Sequence, residues 1–466
     1  MTASSFANRD EIRARFSRAM SDMYKTEVPL YGTLMELVAE TNQGVLASNS
    51  QVAQNLKQTG EIQRLDMERH GAIRVGTATE LATLSRLFAV MGMEPVGYYD
   101  LTPAGVPVHS TAFRAVHEHA LQVSPFRVFT SLLRLELIDN PELRDFASQV
   151  LSQRKIFTPR ALELIEKSEL DGGLTEADAQ DFVEQALETF RWHSTATVSL
   201  DQYKQLNAQH RLIADVVAFH GPHINHLTPR TLDIDAVQEG MPKKCITPKA
   251  VVEGPPRRNC PILLRQTSFK ALEEPITFIG QSTHEAGSHS ARFGEIEQRG
   301  AALTPKGREL YDQLLNEARD ALGEFPNEGN AVRYAELLGQ TFKAFPDSYE
   351  QMRDQGLAYF RYFPTEQGIA KGAGIEQNVD LEQLINAGDV HFEPLVYEDF
   401  LPVSAAGIFQ SNLGDDAQSH YGTSSNQQDF ERALGRGTIN DLKLYADTQR
   451  RSLLECSQAL GIAPLA

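Results

Sequence analysis

The run from Arg292 to Gly300 reads Arg-Phe-Gly-Glu-Ile-Glu-Gln-Arg-Gly and carries two carboxylates at positions of one parity. Side chains alternate faces along an extended strand, so Glu295 and Glu297 point the same way. Two like charges on an inward face are costly to bury unless something positive lies between them. A metal ion is a common solution, and on spacing alone either carboxylate can serve it. Histidines must then complete the site. The chain has 13 of them, and three places crowd them: His117 with His119, His220 with His223 and His226, and His284 with His289. His117 and His119 fall between helical segments with no matching carboxylate motif, and read as structural or exposed. The His220, His223 and His226 group follows an apolar run and enters a turn, where side chains can be aimed inward. His70 is a further candidate, four residues before Arg74, and the two share a face in a strand and roughly in a helix. By spacing alone this pair reads first as a surface histidine beside a salt-bridged arginine. Its chemical alternative is an imidazole on a metal, with a guanidinium fork aimed at a carboxylate. Two histidines and one carboxylate on one face of an ion leave three positions open, a set that suits Fe(II) and oxygen. A 2-oxo acid can take two of those positions and O2 the third.

Bulk properties restrict the partners. The 466 residues can bury a large core, and 41% hydrophobic with 23% charged residues is ordinary for a globular protein. A net charge of -18 opposes nonspecific affinity for nucleic acid or anionic membrane, while a local arginine can still attract an anionic substrate. The three cysteines, Cys245, Cys260 and Cys456, form no C-x-x-C pair, which argues against a disulfide framework or zinc ribbon. No run of 18 apolar residues occurs, and the N-terminus lacks the apolar core of a secretion signal. A cytoplasmic location is the expectation, with neither membrane nor nucleic acid as partner.

The elements that must position these residues are legible in part. Helices are expected at 10–23, 31–40, 81–91, 128–137, 141–153, 304–322, 331–345 and 439–458. The third of these follows a capping box at Thr77 and Glu80. A helical hairpin is expected over 158–166 and 175–190. There Ala179, Phe182, Val183, Ala186, Leu187 and Phe190 form one apolar stripe, read as core. Extended segments are expected at 62–75, 212–219, 276–280, 291–301, 357–362 and 390–397, with 242–259 as loop. The small residues of 403–409 suit a close approach of backbone to ligand. The mixture indicates an α+β fold.

Residues 293–299 resemble the last metal-binding strand of the vicinal-oxygen-chelate dioxygenases. More closely, nearly the whole chain resembles the 2-oxoadipate dioxygenase/decarboxylase family, also called hydroxyglutarate synthases. The most specific stretches are Met67-Glu68-Arg69-His70-Gly71-Ala72-Ile73-Arg74, Asn225-His226-Leu227-Thr228-Pro229-Arg230, the Glu295 strand, and the run Phe400-Leu401-Pro402-Val403-Ser404 that continues to Phe409. The resemblance implies metal ligation by His70, His226 and Glu295, with Arg74 as the anchor of a substrate carboxylate and Val403 and Ser404 lining the site. It leaves Glu297 as a partner held by Arg299 or Arg292. It implies Fe(II) as cofactor, and conversion of 2-oxoadipate and O2 to 2-hydroxyglutarate and CO2 in lysine degradation. The steps would be bidentate chelation of the 2-oxo acid, oxidative decarboxylation and intramolecular hydroxylation. A non-redox, glyoxalase-like metalloenzyme or a catalytically silent binding protein are the competing readings. The expected organisation is one catalytic domain over 1–466 with a vicinal-oxygen-chelate-like β-barrel core. That core is built mainly from about 50–120, 195–300 and 355–425, with a helical insertion at about 125–192 and a closing helix at 439–458.

Overall fold

The computed structural model describes residues 6–280, 287–290, 292–324, 326–401 and 426–465. Among the described residues eleven strands are formed: β1 (Arg69–Val75), β2 (Glu94–Asp100), β3 (Val108–Arg114), β4 (Arg127–Leu133), β5 (His226–Pro229), β6 (Leu264–Ser268), β7 (Glu273–Ile276), β8 (Gly287–Ser290), β9 (Phe293–Arg299), β10 (Phe360–Pro364) and β11 (Val390–Pro394). Seven of them make one sheet in the order β2-β3-β4-β1-β5-β9-β6. β1 is parallel to β4, and β5 is parallel to β9; the remaining neighbours are antiparallel. The first unit runs β1, the helix Ala78–Val90, β2, β3, β4, and its first and last strands lie side by side. The second half repeats the parallel pair as β5 and β9, with β6 beyond it. The α+β expectation holds, and the seven-stranded sheet takes the form of an open, curled half-barrel.

One face of this sheet is apolar in the ordinary way. Ile73, Val75, Phe113, Val128, Leu227 and Ile296 join a core with Phe16, Tyr24 and Leu34, from the helices Arg9–Glu27 and Pro29–Ser48. The helical hairpin forms as expected, as Pro159–Asp171 and Glu176–Glu188, and its stripe is buried there through Phe182, Ala186 and Phe190. The capping box also forms, with the Thr77 side chain on the Glu80 amide and the Glu80 carboxylate reaching back. The Tyr24 hydroxyl lies 2.9 Å and 2.8 Å from the carbonyls of Asn225 and Phe293, and shares its proton between them. It thereby ties the starts of β5 and β9 together, next to His226 and Glu295.

Two segments adopt the opposite structure from that expected. Residues 128–137, expected as helix, form β4 and a short 3-10 turn, Leu135–Leu137. β4 lies between β1 and β3 and is buried along its length, Arg127, Thr130 and Ser131 included, so its polar and apolar residues follow no clean alternation from which to read a strand. Residues 212–219, expected as a strand, form the helix Arg211–Val217, capped by the His210 side chain on the Leu212 amide at 3.1 Å. From Leu212 to Val217 every residue is buried, so no polar face marks the helical period. The extended stretch expected at 62–75 opens with a 3-10 turn, Leu65–Met67, and the strand expected at 276–280 ends, as β7, where it was expected to begin.

The segment boundaries shift accordingly. The expected helical insertion opens with a central strand, β4, and its helices start at Pro141. Within 355–425, β10 and β11 pair only with each other, outside the seven-stranded sheet. They pack in a second core with the helices Pro305–Leu322 and Asp441–Leu460. The segment 403–409 lies outside the described residues. Among the described residues no helix is long and apolar enough to cross a membrane.

Gly294 shows how closely the apolar side of β9 is packed. A Cβ there would stand 2.3 Å from the Phe269 ring and 3.0 Å from Leu34. Gly294→Ala is expected to destabilise the protein by about 1–3 kcal/mol through overpacking, read as a lower midpoint in urea unfolding.

Candidate metal centre

The opposite face of the sheet is polar, and strand pairing decides which residues meet on it. His70 sits opposite Thr228, Ala72 opposite His226, and His226 beside Phe293. The period of two then places His70, Ala72 and Arg74 of β1, His226 and Thr228 of β5, and Glu295 and Glu297 of β9 on one face. One ligand atom from each of His70, His226 and Glu295 lies within 4.8 Å of the others, and all three residues are buried.

The ring of His70 is clamped between the two carboxylates. Its Nε2 is 2.9 Å from Glu295 Oε2, and its Nδ1 is 2.7 Å from Glu297 Oε2. The two glutamates thus share a face and divide their roles by reach. Glu295 also approaches His226 Nε2 at 3.4 Å, accepts from the Thr228 hydroxyl at 2.8 Å, and lies 3.4 Å from the Gln266 amide. Among the described residues its second oxygen, Oε1, has no hydrogen-bond partner, nor has His226 Nδ1. Orphaned acceptors in a dry site are what a missing cation leaves behind. Burial pushes the His226 imidazole down to about 3, so it is neutral and carries a lone pair for a metal. Burial alone would raise the Glu295 carboxyl, but the two imidazoles and the Thr228 hydroxyl outweigh it and hold it below the usual range. The donor set therefore fits a divalent cation.

Glu297 belongs to a buried lattice of charge behind His70. Arg299 grips it bidentately, both contacts at 2.8 Å, and Arg127 adds a contact at 3.3 Å. Arg127 also reaches Glu68 at 3.0 Å and Glu398 at 2.5 Å. Arg64 pairs with Glu398 at 2.7 Å, and Arg230 with Glu61 and Glu68 at 2.8 Å and 3.1 Å. The formal charges of Arg64, Arg127, Arg230 and Arg299 cancel those of Glu61, Glu68, Glu297 and Glu398. Glu295 is left outside this balance, as the carboxylate of a metal ligand would be. Of the two arginines expected to hold Glu297, Arg299 does so, while Arg292 pairs with Glu274 and Glu27.

The other expected residues separate cleanly. Arg74 is buried and pairs with Asp215 at 2.6 Å, and its charge is felt at His226. The trio His220, His223 and His226 is split: His226 enters the site, His223 turns to Asp215 at 3.2 Å, and His220 is exposed. His117 and His119 are exposed. His284, Val403 and Ser404 lie outside the described residues. Phe400 packs against the His70 ring, with centroids 4.9 Å apart, and against Phe129 at 5.0 Å, which makes one wall of the site apolar.

Spacing singled out neither Thr228 nor Arg127, nor Lys249, whose ammonium lies 5.9 Å from the Phe293 ring beside His226. Thr228 carried a usable signal, since it stands two residues after His226. A cavity of about 590 Å³, lined by Phe146, Arg154 and His220 among others, shares no residue with this centre. Arg127→Met would leave Glu68, Glu297 and Glu398 each short of a buried cation. Breaking such a pair is expected to destabilise by about 3–5 kcal/mol, measured by chemical denaturation.

The sequence pattern of the 2-oxoadipate dioxygenase/decarboxylase family matches residues 16–412. The chain is 67% identical over 465 residues to the 2-oxoadipate dioxygenase/decarboxylase of Pseudomonas putida, covering 100% of both. It is 56% identical to that of Escherichia coli, over 96% of this chain and 98% of the relative. The crystal structure of the Pseudomonas putida hydroxyglutarate synthase in complex with 2-oxoadipate matches with a TM-score of 0.93 and 66% identity, over 99% of this chain and 100% of that one. The chain is an enzyme of the 2-oxoadipate dioxygenase/decarboxylase family.

Proposed function

We propose that this protein converts 2-oxoadipate and O2 to 2-hydroxyglutarate and CO2, using Fe(II) held by His70, His226 and Glu295. The observation that carries the reading is the meeting of two imidazoles and one carboxylate on the polar face of the sheet, with Arg74 four residues along the same strand as His70. When bound, a ferrous ion held by these three residues would supply the redox chemistry with O2.

The residues around that ion have separable tasks. Glu297 accepts from His70 Nδ1, which fixes the tautomer and leaves Nε2 to the metal. Thr228 donates to Glu295 Oε2 and restrains the rotation of that carboxylate. Arg74 anchors a substrate carboxylate through its guanidinium, which offers a fork rather than a point charge. Phe400 and Phe129 exclude water from one side, and Val403 and Ser404 remain the residues proposed to contact substrate. The proposed setting is the cytoplasm, in lysine degradation.

Glu295→Ala is expected to abolish tight iron binding, read as iron per chain after dialysis. Retention of full iron and rate by this variant would move the ligand role to Glu297. Glu297→Gln is expected to weaken iron by about 10–100-fold while leaving the ligands in place, measured by titration against a competing chelator. Oxygen consumption in step with CO2 release from 2-oxoadipate is the outcome expected of the wild type. Turnover without oxygen would instead establish a non-redox, glyoxalase-like reaction.

A further inference from the structure

A second buried group of two histidines and one carboxylate stands beside the first. Asp215, His223 and His289 bring one ligand atom each within 4.8 Å of the others. Asp215 Oδ1 is 2.9 Å from His289 Nε2 and 3.2 Å from His223 Nε2, while its Oδ2 accepts from Arg74 Nη1 at 2.6 Å. The His289 Nδ1 lies 2.8 Å from the Tyr203 hydroxyl. Aromatic rings close the group off: Trp192 meets the His223 ring edge-on at 4.6 Å, and Phe219 lies 4.6 Å from His289.

Charge decides what this group does. Arg74 and Asp215 cancel, so with neutral imidazoles the cluster carries no net charge. A divalent ion here would leave two uncompensated positive charges in a dry, aromatic-walled place, which is expensive. Hydrogen bonding satisfies both Asp215 oxygens and both His289 nitrogens without that penalty. The Tyr203 hydroxyl donates to His289 Nδ1, His289 Nε2–H donates to one Asp215 oxygen, and Arg74 donates to the other. A carboxylate held at both oxygens cannot rotate. A guanidinium is a rigid fork, so fixing one of its nitrogens sets the direction of the whole group.

We propose that Asp215, braced by His289 and Tyr203, is a positioning residue that aims the Arg74 guanidinium at the substrate carboxylate. The proposal rests on the reading of Arg74 as that anchor. It gives the substrate site a support contributed by the helix Arg211–Val217 and by β8, neither of which belongs to the seven-stranded sheet.

The test is steady-state kinetics of the iron-loaded enzyme with 2-oxoadipate, on Arg74→Met, Asp215→Asn, the double variant, and Tyr203→Phe, with metal analysis of each. Asp215→Asn is expected to raise KM roughly tenfold or more with little change in kcat or iron content, because the lost interaction is one of substrate binding. The double variant is expected to be no worse than Arg74→Met, since the two residues act as one unit. Tyr203→Phe keeps every charge and is expected to raise KM by a smaller factor, which preserves the test if Asp215→Asn fails to fold. If Arg74→Met raises KM but Asp215→Asn and Tyr203→Phe do not, Asp215 is not a positioning residue. If Arg74→Met itself leaves KM unchanged, the anchor reading fails first. Fully multiplicative losses in the double variant, or a second metal ion per chain that Asp215→Asn removes, would also overturn the proposal.

Discussion

His70 sits between two buried carboxylates, and most of the site depends on that arrangement. An imidazole offers two nitrogens on opposite edges of a rigid ring. One edge faces Glu295 and the other Glu297, so the ring cannot swing without losing a contact of 2.9 Å or 2.7 Å. The two glutamates in turn cannot both lie buried on one strand unless each has its own compensation. Glu297 finds it in Arg299 and Arg127. Among the described residues Glu295 finds imidazoles, a hydroxyl and an amide, with the Lys249 ammonium near enough to feel its charge, and keeps one oxygen without a hydrogen-bond partner. That inequality separates a metal ligand from its support, although the two residues are chemically identical and two positions apart.

The sheet carries this burden on one face alone. Its apolar side is packed by helices in the usual way, down to a glycine with no room for a methyl group. Its polar side holds Arg74, Arg127 and Arg299 along with the ligands, all deeply buried. Burying so many charges contributes little net stability, because desolvation offsets much of the Coulombic gain. The return lies in fixed geometry: each of these guanidiniums is held by a carboxylate, and one of those carboxylates, Glu297, holds the ring that would hold the metal. The Asp215 group repeats the principle on the substrate side, with a carboxylate braced by histidine and aimed at Arg74.

The helices with clear caps and a two-sided pattern were legible in the sequence. The capping box at Thr77 and the stripe from Ala179 to Phe190 are examples. The failures are equally physical. β4 buries Arg127, Thr130 and Ser131 along with its apolar residues, and the helix Arg211–Val217 is buried from Leu212 on, so in neither does burial follow a polar pattern from which to read its period. The second error hid Asp215, which reaches Arg74 only because its segment is helical. The histidine trio enters a turn, from which side chains can be aimed inward, yet of the three only His226 lies in a strand of the sheet.

Local chemistry and the period of two determined that Glu295 and Glu297 share a face, that Arg74 follows His70 on its own face, and that Thr228 follows His226. Those relations hold within a single strand and need no knowledge of its neighbours. Which strands lie side by side was decided by tertiary structure. His70 and Glu295 are 225 residues apart, and Arg74 and Asp215 are 141 apart. The pairing of β1 with β5, and of β5 with β9, closes those distances and converts three strand patterns into one site. Burial was decided there too. The same His70 and Arg74 on an exposed strand would be a surface histidine and a solvated ion pair; enclosed by the sheet, its helices and a balanced lattice of charge, they form a dry site with a place for a cation.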